Sequence, residues 1–267
     1  MTQAARPSTL GDDRIAPPSI VLTDGPYLLK FASSATEMDA IFRLRYEVFN
    51  VELGEGLAQS HITSRDVDQF DAACHHMLVM DQRDGSMIGT YRLQTQTLAA
   101  LGHGFYSAGE FNLDPLPPDV LANSVELGRA CIAKSHRDPR VLLLMWRGIA
   151  AYLIHFHKRY FFGCCSLTSQ DPSEGKAVMQ QLQRQGALHP HLRVQPQRGL
   201  ACCDAEQIYM PHIPLPDVRI PRLFAAYLRF GAKVCGPPAI DREFKTIDYF
   251  VLFDMHSMSD LARKFFL

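Results

Sequence analysis

Four charged residues stand where the surrounding pattern asks for apolar ones. Between Thr36 and Asn50, Met38, Ile41, Phe42 and Phe49 recur at i, i+3, i+4 and i+11, the spacing of one helix face. Arg45 falls on that face at i+7, whereas Arg43 and Glu47 lie on the outer side, placed to pair with each other. Arg92 interrupts the run Ile88-Gly89-Thr90-Tyr91-Arg92-Leu93, and Glu126 and Arg129 interrupt Val125–Ile132. An inward charge needs a buried partner or an ionic ligand, because an unpaired one is costly. Asp68 and Asp71, at i and i+3 of an acidic stretch, supply matching negative charge. Three arginines and three acids are thus expected to meet on one face. A structural ionic network would also satisfy the pattern, but so many intrusions favour a polar site.

The run that carries Glu126 is the most informative of these. Plain strand alternation sends Glu126 and Arg129 to opposite faces. Gly128 lies between them, and glycine inside a strand often marks a β-bulge. One extra residue there brings both side chains to the same face and frees a backbone N–H. A free N–H beside a reacting carbonyl stabilises an oxyanion, and a carboxylate nearby can act as general base.

Other chemistries find little support. The seven cysteines are odd in number and include the adjacent pairs Cys164-Cys165 and Cys202-Cys203, with no C-x-x-C. That is a poor disulfide framework and a poor zinc site, and packed thiols are expected. His155 and His157, two apart, make a poor metal clamp, and His189-Pro190-His191 reads as a turn. There is no nucleophile elbow, no P-loop and no G-x-G-x-x-G. Twenty-seven Lys and Arg nearly cancel 28 Asp and Glu, so charge does not point to nucleic acid. The apolar run Val141–Phe156, which contains the lone Trp146, falls short of a bilayer span and reads as a buried helix. With no signal-peptide pattern at Met1–Pro18 and no disulfide framework, a cytoplasmic location is expected.

These residues need elements to hold them. Residues 1–25 show no sustained period and read as a flexible leader. A strand at Tyr27–Ser33 is followed by Ser34-Ala35-Thr36-Glu37, a capping box opening the helix that runs to Asn50. The segments His75–Asp81 and Met87–Thr95 flank Asp84-Gly85, a hairpin signal. Val125–Ile132 is a third strand, the helix 141–160 follows, and then come a strand at Phe161–Thr168 and a polar helix at Ser173–Gln185. A short strand at Gln207–Met210, a helix at Pro221–Phe230, a strand at Tyr249–Met255 and a short terminal helix complete the chain. The expected class is α/β, with a central, mostly antiparallel mixed sheet flanked by helices. The main domain spans 26–267: a core to about residue 190 and a C-terminal α/β extension over 191–267.

The motifs Arg45-Tyr46-Glu47-Val48-Phe49, Asp68-Gln69-Phe70-Asp71, Gly89-Thr90-Tyr91-Arg92-Leu93 and Glu126-Leu127-Gly128-Arg129, in that order, resemble two related groups. These are the acyl-homoserine-lactone synthases and the long-chain N-acyl amino acid synthases, with acetyltransferase-like (GNAT) folds. Pro221-Arg222-Leu223-Phe224, Tyr227 to Val234 and Pro238 to Phe244 add a closer likeness, to the ornithine–acyl-carrier-protein N-acyltransferases that make lyso-ornithine lipid. The resemblance runs from about residue 27 to 255.

It implies transfer of a long (3-hydroxy)acyl chain from acyl carrier protein to an amino acid's α-amine, ornithine foremost. No bound cofactor or metal is implied, and peripheral contact with the inner membrane face is an expectation. Glu126 and Arg129 take the catalytic roles, Glu126 as base. Arg45, Phe49, Asp68, Asp71 and Arg92 hold the charged set or the acceptor, and Asp241 and Glu243 meet the acceptor's cationic end. The glycine-rich pyrophosphate loop of acetyl-CoA-dependent members is replaced by Ser135-His136-Arg137-Asp138-Pro139-Arg140. That suits a carrier-protein donor, with Cys131, Ile132, Lys134, Arg137 and Arg140 as pantetheine and carrier contacts. The alternatives are another acceptor, a signal synthase using S-adenosylmethionine, and a non-catalytic membrane-lytic or lipid-binding protein.

Overall fold

A computed structural model describes residues 15–203 and 218–258. Among them, the strands are β1 (Val21–Asp24), β2 (Tyr27–Phe31), β3 (His75–Asp81), β4 (Met87–Thr95), β5 (Phe111–Asn112) and β6 (Ser124–Ile132), then β7 (Tyr160–Leu167), β8 (Gln195–Pro196), β9 (Lys233–Val234), β10 (Ala239–Asp241) and β11 (Thr246–Asp254). The α-helices are α1 (Ala35–Tyr46), α2 (Ser60–Thr63), α3 (Gln96–Leu101), α4 (Ser107–Glu110), α5 (Pro118–Ala122), α6 (Pro139–His155), α7 (Pro172–Arg184) and α8 (Arg222–Phe230).

The main sheet has the order β1-β2-β3-β4-β6-β7-β11-β10, with β9 also on β11, while β5 and β8 form a small second sheet. Every pairing in the main sheet is antiparallel except β6 with β7. Parallel neighbours need a crossover, and α6 supplies it. Asp138 starts that helix by accepting the Arg140 N–H, with Pro139 in its first turn. The expected α/β class with a mostly antiparallel mixed sheet is what the chain forms.

Two apolar cores lie on opposite faces of the sheet. One joins Tyr91, Leu127, Phe161 and Val251 to α6, α7 and α8 through Trp146, Leu182 and Tyr227. The other joins Phe162, Phe250 and Leu252 to Phe111 and Leu116. Alternation puts neighbours such as Phe161 and Phe162 on opposite sides.

The departures from expectation are local. Val21–Asp24, inside the expected leader, pairs with β2 as an edge strand. The helix from Ser34 gives way at Glu47 to a π-helical stretch, Glu47–Glu52, so the α-helical rows do not continue to Asn50. Arg43 pairs with Asp39 rather than Glu47. Helix α6 ends at His155, so Lys158 and Arg159 lie beyond it. Pro221 caps α8 rather than opening its first turn. The expected strand at Gln207–Met210 and the terminal helix lie outside the described residues.

The parallel pairing of β6 and β7 is short, running from Ser124↔Tyr160 to Glu126↔Phe162. Beyond it the strands part. On the other edge of β6, Arg92 pairs with Gly128 and Thr90 with Cys131, so Arg129 and Ala130 together oppose Tyr91. That is the expected bulge, and Arg129 takes the left-handed backbone within it, at φ 48°. At the fork itself a Cβ on Gly163 would lie 2.3 Å from the Leu127 carbonyl oxygen, so only glycine fits.

Candidate active site

The parted strands open a cavity of about 310 Å³ that reaches both faces of the sheet. On the α6–α8 side its walls are hydrocarbon: Tyr91, Phe161, Leu223, Phe224, Tyr227 and Val251. On the opposite side they carry charge and hydroxyls: Glu55, Tyr106, Glu110, Arg129, Ser166 and Asp248. Gly128 and Ala130 line it where the two halves meet.

Behind the polar half sits the ionic network expected from the intruding charges. Arg45, wholly buried, donates from Nε to Asp66 at 2.6 Å and from Nη1 to Asp71 at 2.8 Å. Arg92 donates to Asp68 at 2.6 Å and to Asp71 at 3.0 Å. Arg129 closes the chain, 3.3 Å from Asp66 and 3.0 Å from Asp68. Burial alone would raise Asp71, but Arg45 and Arg92 outweigh it and hold the carboxyl far below the usual range. Burial likewise opposes Asp68, where Arg92 and Arg129 keep the net direction downward. The third acid of the set is therefore Asp66, not Glu126. Arg45 and Arg92 satisfy these acids behind the cavity, and only Arg129 of the three arginines lines it.

Glu126 lies on the same side as Arg129, since both meet Tyr106. Its carboxylate accepts the backbone N–H of Tyr106 at 2.9 Å and of Ser107 at 2.7 Å. It is 5% exposed and is not among the residues lining the cavity. Burial raises its carboxyl, against those two N–H donors. Its evident task is to pin the segment that carries Tyr106 and opens α4.

Tyr106 organises the polar half. Its ring lies under the Arg129 guanidinium, 5.0 Å from the centroid, and its hydroxyl donates to Asp241 at 3.0 Å. Asp241 also accepts the N–H groups of Glu243 and Phe244, each at 2.8 Å, which builds the turn after β10. Phe244 in turn packs edge-on to Phe49, 5.5 Å between centroids, and both line the cavity. Glu243 is exposed and is not among the lining residues.

Glu110, Asp241 and Asp248 bring carboxylate oxygens within 4.8 Å of one another. Asp248 accepts the Ser166 hydroxyl at 2.5 Å and the Thr246 hydroxyl at 2.8 Å. Burial pushes its carboxyl up to about 6 despite those donors. Burial, and then the charges of Asp248 and Asp241, carry Glu110 well above the ordinary range. Glu55, which accepts the Thr168 hydroxyl, is also raised by burial. The carboxylates that reach the cavity are thus a different set from those singled out in the sequence.

The expected carrier contacts are scattered. Cys131 is buried against Leu44, Val48 and Phe49, and Ile132 is half-buried. Lys134 is exposed. Arg137 makes a two-pronged ion pair with Glu52, both prongs 2.7 Å, and Arg140 pairs with Asp138 at 2.9 Å. None of the seven cysteines, all among the described residues, is joined in a disulfide.

Residues 44–147 match the acetyltransferase (GNAT) domain family. The chain is 30% identical over 244 residues to an L-ornithine N(alpha)-acyltransferase of Rhizobium meliloti, covering 86% of this chain and 80% of that one. A Rhodobacter capsulatus protein of the same name is 29% identical over 250 residues, 90% of this chain and 94% of that one. The chain belongs to this acyltransferase family. Among solved structures, the acyl-homoserine-lactone synthase LasI aligns with a TM-score of 0.48 at 13% identity, over 88% of this chain and 93% of that one.

The acyltransferase therefore has its cavity in a fork between strands, bordered by a bulge. Sequence reasoning missed Tyr106, Glu110, Asp248 and Glu55 as parts of it. For Asp248 a signal existed: it is the lone charge within Thr246–Phe253, as Arg92 is in its strand. Glu110 sits in a four-residue helix that offers no periodicity to break.

Proposed function

We propose that this enzyme moves a long (3-hydroxy)acyl chain from acyl carrier protein to the α-amine of L-ornithine, yielding a lyso-ornithine lipid. The observation that carries this is one cavity that is hydrocarbon on one side of the sheet and acidic on the other, in a chain whose named relatives are ornithine acyltransferases. The acyl chain occupies the Phe161–Tyr227 side and the amino acid the Tyr106–Asp248 side. The thioester carbonyl then lies beside the bulge, whose residues Gly128, Arg129 and Ala130 line the cavity and in this scheme offer the oxygen a backbone N–H.

In this scheme the α-ammonium first gives a proton to a cavity carboxylate. Burial raises all three cavity carboxylates, Glu55, Glu110 and Asp248, which makes each a better proton acceptor than an ordinary carboxylate. The inference below gives Glu110 and Asp248 another task, which leaves Glu55 as the base. The amine lone pair attacks the carbonyl carbon, the C–S bond breaks as the amide forms, the nitrogen's second proton passes to the departing thiolate, and the carboxyl returns the first to solvent. Arg129 meets the acceptor's carboxylate. Glu126 acts one layer back, by holding the Tyr106–Ser107 backbone.

A carrier-protein donor is favoured by the start of α6. There the negative charge that a helix N-terminus attracts is already supplied by Asp138, and the preceding turn has no glycine. Exposed Lys134, with Arg137 and Arg140 at the surface, suits an acidic carrier and a single phosphate. No described helix is long and apolar enough to cross a membrane; contact with the inner membrane face would be peripheral, at the point where the lysolipid leaves.

The test is a matched pair of 3-hydroxyacyl thioesters, on carrier protein and on CoA, incubated with an amino acid panel and with S-adenosylmethionine. Mass spectrometry should show N-acylornithine, with kcat/KM at least ~10-fold higher for the carrier-protein thioester. Equal use of both thioesters would remove the donor assignment, and a product on another acceptor instead would remove ornithine.

A further inference from the structure

Accepting that this cavity is the acceptor site, we infer that Glu110 and Asp248, backed by Asp241, form a receptor for a primary ammonium on the acceptor's side chain. The enzyme would thereby require a second amine on its amino acid.

Two distant parts of the chain converge to make this group: the end of α4 and the antiparallel pair formed by β10 and β11. Their carboxylate oxygens lie within 4.8 Å of one another, and Glu110 and Asp248 open onto the cavity. Among the described residues none of the three carboxylates forms an ion pair with a lysine or arginine of the chain. Glu110 is 6% exposed, yet neither of its oxygens accepts a hydrogen bond of ordinary geometry. The nearby Tyr106 hydroxyl is spent on Asp241. A buried carboxyl left this way is unusual in a purely structural role, and it faces the cavity.

The chemistry of the group selects its ligand. An ammonium offers three N–H donors and no acceptor, so it needs one lone pair from each of three oxygens. A divalent cation of the hard type takes six or more oxygens. Here the Asp248 oxygens already accept the Ser166 and Thr246 hydroxyls, and Asp241 accepts three donors of its own. What remains, both Glu110 oxygens and one lone pair on each Asp248 oxygen, meets an ammonium's three donors. Arg129 borders the same half of the cavity, stacked on the Tyr106 ring whose hydroxyl touches Asp241. The receptor for the ammonium and the guanidinium for the carboxylate thus meet at one tyrosine, Arg129 over its ring face and Asp241 at its hydroxyl. Glu243, the other acid expected to serve, points into solvent.

The experiment compares L-ornithine with L-norvaline, the same carbon chain without the second amine, in wild type, Glu110→Gln and Asp248→Asn. Wild type should prefer ornithine by at least ~100-fold in kcat/KM, and each variant should cut that preference at least ~10-fold, chiefly through KM for ornithine. Unchanged circular dichroism shows that the variants fold, and kcat/KM for norvaline should fall less than that for ornithine. Binding is read independently of turnover: ornithine should raise the Tm of wild type and not of either variant, and norvaline should affect none. Equal losses on both acceptors would overturn the receptor while leaving amino acid acylation intact. So would calorimetric binding of Mg²⁺ or Ca²⁺ that either variant abolishes. Absence of any acylated amino acid with normal ornithine binding would instead overturn the catalytic proposal alone.

Discussion

The guanidinium carbon of Arg129 lies 4.2 Å from the centroid of the Phe244 ring and 5.0 Å from that of Tyr106. One cation is held between two aromatic faces while its nitrogens reach Asp66 and Asp68. Planarity makes this arrangement particular to arginine, since an ammonium neither stacks flat nor bridges two acids in a fork. Arg129→Lys is expected to lower kcat/KM by about 100-fold while keeping much of the charge balance. Steady-state kinetics with a parallel thermal melt would check this, and activity within threefold of wild type would disprove it.

Arg45 has no access to the cavity, so its loss should read as stability. Arg45→Met leaves Asp66 and Asp71 buried without their main cation, a defect of about 3–5 kcal/mol. Urea unfolding measures it directly. A change below about 1 kcal/mol would mean that the network is not the support it resembles.

Glu126→Gln keeps shape but replaces one N–H acceptor with an N–H donor, set against the Tyr106 or Ser107 amide. Turnover should fall at least ~10-fold with the fold intact, because the Tyr106 segment loses its anchor. Hydrogen exchange at residues 104–108 should speed up in the variant. Lower turnover with unchanged exchange would point to direct proton transfer by Glu126 instead.

Asp248 gives a pH signature. Its folded value, raised to about 6, lies above the unfolded one, so its stability contribution is present below the unfolded value and is lost as pH rises through 6. Asp248→Asn should therefore raise Tm relative to wild type at pH 7 to 8, with the difference fading toward pH 4. In activity, ornithine kcat/KM should decline on the acid side with an apparent pKa near 6. The variant should lack that limb. A limb that persists unchanged would assign it to another group.

Gly163→Ala tests the fork. The added carbon meets a backbone oxygen that cannot rotate away, so the strands must separate. A loss of about 1–3 kcal/mol together with most of the activity is expected. A stable variant with normal kinetics would show that the fork tolerates widening.

Much of this arrangement can be read without coordinates, because charge inside an apolar period is a local signal. Arg45, Arg92 and Arg129 each break such a period, and all three meet the same cluster of acids. Gly128 announces the bulge for the same reason. What is not local stays hidden. The identity of the third acid, Asp66 in place of Glu126, depends on how the loop after α1 folds back. Glu110 joins Asp241 and Asp248 only through pairings more than a hundred residues apart in sequence. Phe49 reaches the cavity because the helix loosens at Glu47, a change of winding that the α-helical period does not announce.

The cavity crosses the plane of the sheet, and this makes the sheet a partition one strand thick. A molecule with a hydrocarbon end and an ionic end has one energetically acceptable orientation across it. In the proposed long-chain transfer, two substrates would approach from opposite sides, neither vacating for the other, so a ternary complex would be the natural kinetic state and no covalent acyl-enzyme is called for. Joining them would create a single amphiphile threaded through the opening, with its greasy tail on one side and its charges on the other. Departure would then mean drawing one end through surroundings that disfavour it, which would make exit, rather than bond making, the step most open to help from a lipid surface.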